Sequence, residues 1–214
     1  MEPKDIIDVK NANLQNLLIM TKNDIESYSE CAAQAYRDYP LFNYVTNGVG
    51  NEEIIRGIFS SSVRSVYNEV IGLSNNEKAD AVAIFAPPHY TGSKTIPFLL
   101  HGGIKLTQIA PLSVFARLIK YENHAMKLKK KHTYNQCWYL YNITVKPTEQ
   151  GKGYCSQVLN PMFDYLDSIK QDCYLETHTK KNVELYTHYG FELVETSNIP
   201  KTKVKHYSMI RKAR

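Results

Sequence analysis

A chain of 214 residues that is 43% hydrophobic and 22% charged has the composition of a globular protein, neither disordered nor built from membrane spans, and long enough for one core. The net charge of +5 admits nucleic acid or an anionic surface as a partner unless the excess lies on a solvated face. No run approaches 18 apolar residues, and the first ten residues carry Glu2, Lys4, Asp5, Asp8 and Lys10 rather than a secretory leader, so a cytoplasmic location without a membrane helix is expected.

Leu17 to Met20 is predicted to be a first strand, and Asn23 and Glu26 have capping-box spacing for a helix reaching about Arg37, closed by Asp38-Tyr39-Pro40. Glu52 to Glu69 repeats apolar residues at helical spacing. Val70 to Leu73 and Ala79 to Ala86, joined by a polar stretch, read as an antiparallel strand pair. Pro87 to Thr95 breaks regular structure and is a candidate part of an acceptor site.

Between Lys105 and Lys131 seven basic residues face one acid, Glu122. Ile104, Leu106, Ile109, Leu112, Phe115, Leu118, Ile119 and Met126 recur there at roughly helical spacing, interrupted at Pro111. The segment reads as two helices packed on the core with a solvated lysine face, and no nucleic-acid or membrane partner is expected from it. Trp138 to Val145 is the next strand. A helix then runs to about Lys170, followed by a strand at 173–177, a helix at 181–189, and strands at 191–196 and 204–211. No second domain is indicated, so 1–214 is read as one.

The most telling stretch is Val145-Lys-Pro-Thr-Glu-Gln-Gly-Lys-Gly-Tyr-Cys-Ser156, a loop between a strand and a helix. Glycines at 151 and 153 let the backbone approach an anion, and a helix starting there directs free N–H groups at it. Lys152 is followed by Gly153 and Lys146 stands five residues before Gly151, so this is no P-loop. Ser156 stands where a dinucleotide fingerprint needs glycine.

What remains, Gln150-x-x-Gly153-x-Cys155, resembles the acyl-CoA loop of GNAT acetyltransferases, with cysteine where glycine or alanine is usual. A second segment, Asn182-Val-Glu-Leu-Tyr186-Thr-His-Tyr-Gly190-Phe191, is similar to the other cofactor segment of that family. Ala35 to Pro40, Trp138-Tyr-Leu, Leu175-Glu-Thr and His206 to Lys212 look like the puromycin N-acetyltransferase branch. The resemblance implies a mixed, strongly twisted α/β sheet flanked by helices, with a splay between the motif strand and the next. It also implies acetyl-CoA as cosubstrate. Its binding set would be Ile143, Thr144 and Val145 on the strand, Gln150, Gly151, Lys152, Gly153, Tyr154, Cys155 and Ser156 in the loop, and Asn182 and Tyr186 beyond.

The chemistry implied is transfer of acetyl to a primary amine of a small molecule by direct attack. Tyr186 would protonate the leaving thiolate, and the backbone N–H of Val145 or a neighbour would polarise the carbonyl. The strand glutamate of many relatives falls here near Tyr139, leaving the base open among Glu122, Glu176, His101, His124, His178 and a water relay. Seven histidines without ligand spacing and four scattered cysteines, Cys31, Cys137, Cys155 and Cys173, point to metal-free chemistry and free thiols. Cys155 at a helix start is read as a packing residue beneath the cofactor, with a reactive thiol as the alternative. Asn182 is open between a helix cap and a cofactor contact. A non-catalytic acyl-CoA-binding module, or an enzyme acting on protein amines, is the competing reading, and the oligomeric state is open between monomer and homodimer.

Overall fold

The computed structural model describes residues 7, 14, 16–48, 51–92, 94–134 and 137–214. Among them seven strands form one sheet: β1 (Leu18–Ile19), β2 (Ile71–Ser74), β3 (Ala81–Ala86), β4 (Cys137–Val145), β5 (Asp172–Thr177), β6 (Phe191–Asn198) and β7 (Lys205–Arg211). Their order is β1-β2-β3-β4-β5-β7-β6, antiparallel at every joint except β4 with β5.

The central strands bury both faces because helices cover both, as in β3, whose six residues Ala-Val-Ala-Ile-Phe-Ala are all buried. Val82 and Ile84 point to a core with α1 (Ile25–Tyr36), α2 (Pro40–Thr46) and α3 (Glu52–Val66), while Ala83 and Phe85 point to one with α7 (Tyr154–Ser168). That period of two is the pleat of the strand expressed in packing.

The single parallel joint is short. Cys137, Trp138 and Tyr139 pair with Asp172, Cys173 and Tyr174, and beyond that point β4 and β5 separate, giving the expected splay. A bulge lies on β4 just past it, where Ile84 faces Asn142 but Phe85 faces Leu140, leaving Tyr141 as the extra residue. Trp138 and Leu140 lie on the α7 side, as do Ile143 and Val145, so the bulge shifts the alternation by one residue and brings Tyr141 and Asn142 to the α1 side together.

Several sequence expectations need correction. The first strand is only Leu18–Ile19, inside the predicted Leu17 to Met20. Thr21 and Asp24, not Asn23 and Glu26, make the helix entry: Thr21 N donates to Asp24 Oδ2 at 2.7 Å, and a 3-10 turn, Lys22–Asp24, precedes α1. Glu26 instead accepts from Arg64 and Ser60. Pro40 opens α2 rather than merely closing α1, because its fixed φ suits a first helical turn.

The basic segment divides at Pro111 as expected, between α5 (Ile104–Leu106), which continues from α4 (Thr95–Phe98) through a π-turn, and α6 (Leu112–His132). Its core face differs from the apolar pattern, however. Val114, Ala125 and Leu128 are buried, whereas Leu112 is 79% exposed and Ile104 and Ile119 are exposed too.

Candidate active site

The loop entering α7 is shaped by backbone geometry. Lys146 N donates to Asp80 O at 2.8 Å and ties down the end of β4, and Gln150 Nε2 reaches back to Val145 O at 3.3 Å. Gly151 and Gly153 both have φ of +81°, a region that side chains with a Cβ avoid, and no atom lies within 4 Å of where either Cβ would stand. No side chain caps α7, so its first N–H groups point out over this loop with the positive end of the helix dipole. A pyrophosphate fits such a cradle. Lys152 is exposed and paired with Glu149 at 2.7 Å, and Ser156 Oγ lies 2.8 Å from the Tyr189 hydroxyl, while Tyr154 packs half-buried against the α7 core.

The reactive-thiol reading of Cys155 is not supported. Burial pushes its thiol up, away from the thiolate, although it stands in the first turn of the helix.

On β4 the three strand candidates face different ways. Ile143 and Val145 pack toward α7. Thr144 is buried and donates to Asn142 Oδ1 at 2.6 Å, inside a network with the Tyr28 hydroxyl, 3.0 Å from the same oxygen, and the Tyr36 hydroxyl, 2.9 Å from Asn142 Nδ2. Its side chain is therefore committed to the fold. Tyr36 in turn donates to Ile143 O at 2.8 Å, so helix α1 and the bulged strand hold one another on the edge of the splay.

Across the splay, α8 (Lys180–His188) is capped by Thr179, whose Oγ1 accepts from Asn182 N at 3.2 Å. Asn182 is thus not the cap, and it lines the same cavity as Tyr186. Tyr186 is 6% exposed, and its hydroxyl makes no hydrogen bond among the described residues. Burial first, and the neighbouring Tyr36 and Tyr39 next, hold that hydroxyl far above the ordinary phenol range, so it keeps its proton.

The cavity at the splay is a narrow one of about 100 Å³ that opens to solvent at its mouth. In its wall Glu176 Oε1 accepts from the Tyr139 hydroxyl at 2.5 Å and from Tyr121 at 3.1 Å, while Oε2 is buried without a partner among the described residues. Burial raises the Glu176 carboxyl to about 7 against the lowering effect of those two hydroxyls and of Lys129. Glu122, half-buried on α6 in the same wall, is pushed up to about 7 by burial and then by the charge of Glu176. Tyr139, at the place expected for a strand glutamate, instead donates its hydroxyl to Glu176 on the next strand.

Of the other base candidates, His178 lines the cavity and His124 stands behind it, in a file of rings with His206 between: centroids are 5.4 Å apart from His178 to His206 and 5.0 Å from His206 to His124. His101 lies elsewhere, beside Lys22 and Arg64. Burial keeps His178 and His206 neutral, His206 down to about 3. No described residue of 87–103 lines the cavity; Tyr90 packs behind it on Tyr139 and Tyr141. Tyr36 and Tyr39 lie in the Ala35 to Pro40 stretch marked by its family likeness but were not named as wall residues, and nothing among 16 tyrosines singles out Tyr121.

A glycine turn into an uncapped helix beside a splayed parallel strand pair is the framework of an acyl-CoA-dependent acyltransferase. Residues 115–191 match the model of the Acetyltransferase (GNAT) family, and the fold is that of solved acetyltransferases. A stretch of 54 residues is 39% identical to an uncharacterized N-acetyltransferase of Schizosaccharomyces pombe, covering 25% of this chain and 22% of that protein's length. Among solved structures, a histone acetyltransferase HPA2 and related acetyltransferase from Corynebacterium glutamicum matches with a TM-score of 0.62 and 16% identity over 93% of this chain and 96% of that one. Arylalkylamine N-acetyltransferase 2 from Aedes aegypti matches with a TM-score of 0.58 and 18% identity over 92% and 98%. At these identities both likenesses concern the fold. No helix among the described residues is long and apolar enough to cross a membrane, and no group of three or more His, Cys, Asp or Glu among them is arranged to hold a metal.

Proposed function

We propose that this protein transfers the acetyl group of acetyl-CoA to a primary amine of a small molecule by direct attack. The observation that carries this reading is the convergence of Glu176 and Tyr186 on one cavity at the end of the short β4–β5 pairing, with Tyr39 of its wall also lining a neighbouring groove with Pro147 and Gln150 of the glycine loop. Acetyl-CoA supplies the activated acyl group, its pyrophosphate over Gly151, Lys152, Gly153 and the first turn of α7, and its thioester in the splay beside Ile143 and Val145.

Glu176 takes the proton of the bound ammonium, directly or through a water, because a carboxyl near 7 is ionised in a useful fraction at neutral pH. The amine nitrogen then bonds to the thioester carbonyl carbon, whose oxygen is polarised by a backbone N–H at Val145 or its neighbour. As the carbon–sulfur bond breaks, the Tyr186 hydroxyl, which burial keeps protonated, donates to the sulfur as general acid, with the basic departing thiolate drawing the proton across. Asn182 orients the cofactor arm. The small-molecule acceptor and the puromycin-like branch rest on the likeness of Trp138-Tyr-Leu, Leu175-Glu-Thr and the closing strand.

The test is calorimetric titration with acetyl-CoA beside a thiol-release assay against aminonucleosides, aminoglycosides, polyamines and peptides. Tight binding with turnover on a small amine is expected. Turnover on peptides alone would transfer the reading to protein amines, and binding without turnover would make the protein an acyl-CoA-binding module.

A further inference from the structure

Beyond the transfer itself, the same cavity carries information about the acceptor. Its charged wall residues among those described are Glu122 and Glu176, and no lysine or arginine lines it. Lys129, the cation nearest in charge to Glu176, is turned away: Nζ donates to Tyr90 O at 3.1 Å and lies 5.5 Å from the ring centre of Tyr139. Glu176 is held by two tyrosine hydroxyls, but Glu122 has no hydrogen-bonding or ion-pairing partner among the described residues and meets only the repulsion of Glu176. A half-buried carboxylate set against another carboxylate is destabilising unless one of them takes up a proton or a cation joins them.

Much of the rest of the cavity is aromatic, with Tyr36, Tyr39, Phe42 and Phe59 from α1 to α3 packed ring to ring at centroid distances of 5.1 to 5.5 Å, while Ser62, Asn142, Thr177 and Asn182 add polar groups. Faces of such rings favour a cation's apolar neighbourhood and offer no donors to a carboxylate or phosphate. An independent sign that a ligand completes this wall is His178. It is 6% exposed, and its Nε2 is buried without a partner among the described residues.

We infer that the acceptor is a cationic amine with an aromatic or apolar body and no anionic group near its nitrogen, held as an ammonium ion by Glu122 and packed against the rings of α1, α2 and α3. Glu122 is then the residue that sets charge preference, while Glu176 works on the reacting proton. The inference rests on the acetyl-transfer reading for its context but not for its test, which reads binding alone.

The experiment is calorimetric titration of the whole protein, without acetyl-CoA, with four probes: 2-phenylethylamine, phenylalanine, 2-phenylethanol and putrescine. Phenylalanine adds a carboxylate to the same body, 2-phenylethanol removes the charge, and putrescine removes the ring. We expect 2-phenylethylamine to bind at least about tenfold tighter than each of the other three. Glu122→Gln should lower its affinity at least about tenfold and leave that of 2-phenylethanol unchanged, and Glu122→Asp should recover part of the loss. Equal or tighter binding of phenylalanine, tighter binding of putrescine, no binding of 2-phenylethylamine, or an unaltered preference in Glu122→Gln would each overturn the inference. Amine binding without thiol release from acetyl-CoA would instead remove the proposed transfer and leave this inference standing. Turnover on aminoglycosides with no binding of 2-phenylethylamine would do the reverse.

Discussion

The two walls of the splay are made in opposite ways. The loop from Lys146 to Gly153 and the first turn of α7 form a wall of backbone: it is continuous in sequence, largely exposed, and shaped by two glycines at φ of +81° and an uncapped helix end. The facing wall is made of side chains brought from α1, α2, α3, α6, β4, β5 and α8, as when Tyr39 on the chain before α2 meets Thr177 at 2.9 Å across a separation of 138 residues, or Tyr121 on α6 meets Glu176. A pyrophosphate asks for N–H groups, which any backbone can present, whereas an amine to be deprotonated asks for particular side chains at particular distances. Substitutions on the two walls should therefore alter different constants.

The largest effect is expected at the seam. Tyr186→Phe should lower kcat by about 10²-fold or more while leaving acetyl-CoA affinity within about twofold, since it removes help to the leaving group and keeps the ring that packs on Phe191. Stopped-flow turnover beside calorimetry separates the two numbers, and an equal loss in both would assign Tyr186 to packing on the cofactor wall. Next, Glu176→Gln should cost about 10²-fold in kcat and alter the pH profile. A base raised to about 7 by burial is protonated below that pH, so wild-type kcat should climb as pH passes upward through 7. Because Glu122 is raised into the same range, that limb belongs to the coupled pair, and the variant should flatten it. A limb that survives in Glu176→Gln would move the base to another group.

The same contrast explains what was legible beforehand. The glycine loop, β4, α7, β5, α8 and the closing hairpin follow from contiguous motifs and periods, and their predicted bounds match the observed ones within about two residues. Glu176 and Glu122 were visible as able bases but not as partners, since nothing local in Leu175-Glu-Thr177 states that Tyr121 and Tyr139 donate to one oxygen. The bulge at Tyr141 is silent for the same reason: Trp138 to Val145 alternates as any strand does, and only the register against Ile84 and Phe85 reveals the extra residue. The apolar residues of 104–119 misled because period alone does not say which side of a helix meets the core, and Leu112 and Ile119 face out.

A smaller effect tests how the backbone wall is held. Arg211 on β7 forks onto Asp167 near the end of α7 at 2.7 and 2.6 Å, donates to Tyr189 O at 3.2 Å, and lies over the Phe163 ring. Its side chain is 5% exposed against 21% for Asp167, so Arg211→Ala should cost about 2 kcal/mol, at the lower end for removing one partner of a buried pair. Urea unfolding measures it, and a cost under about 0.5 kcal/mol would mean that α7 is held by its apolar face alone.

The smallest effect distinguishes two reasons for a glycine. Nothing in the protein stands within 4 Å of a Cβ at Gly153, so a side chain there would not crowd the loop itself; the obstacle inside the chain is the φ of +81°. Asparagine tolerates that region and valine does not, the difference being about 1–2 kcal/mol. If conformation is the whole reason, Gly153→Asn should bind acetyl-CoA nearly as wild type and Gly153→Val about tenfold more weakly, by calorimetry. If instead the pyrophosphate lies against the loop where a Cβ would project, both variants should weaken binding alike, because contact with the ligand does not depend on which side chain fits the turn. The first outcome would make the backbone wall a matter of folding, and the second would place the phosphate over Gly153.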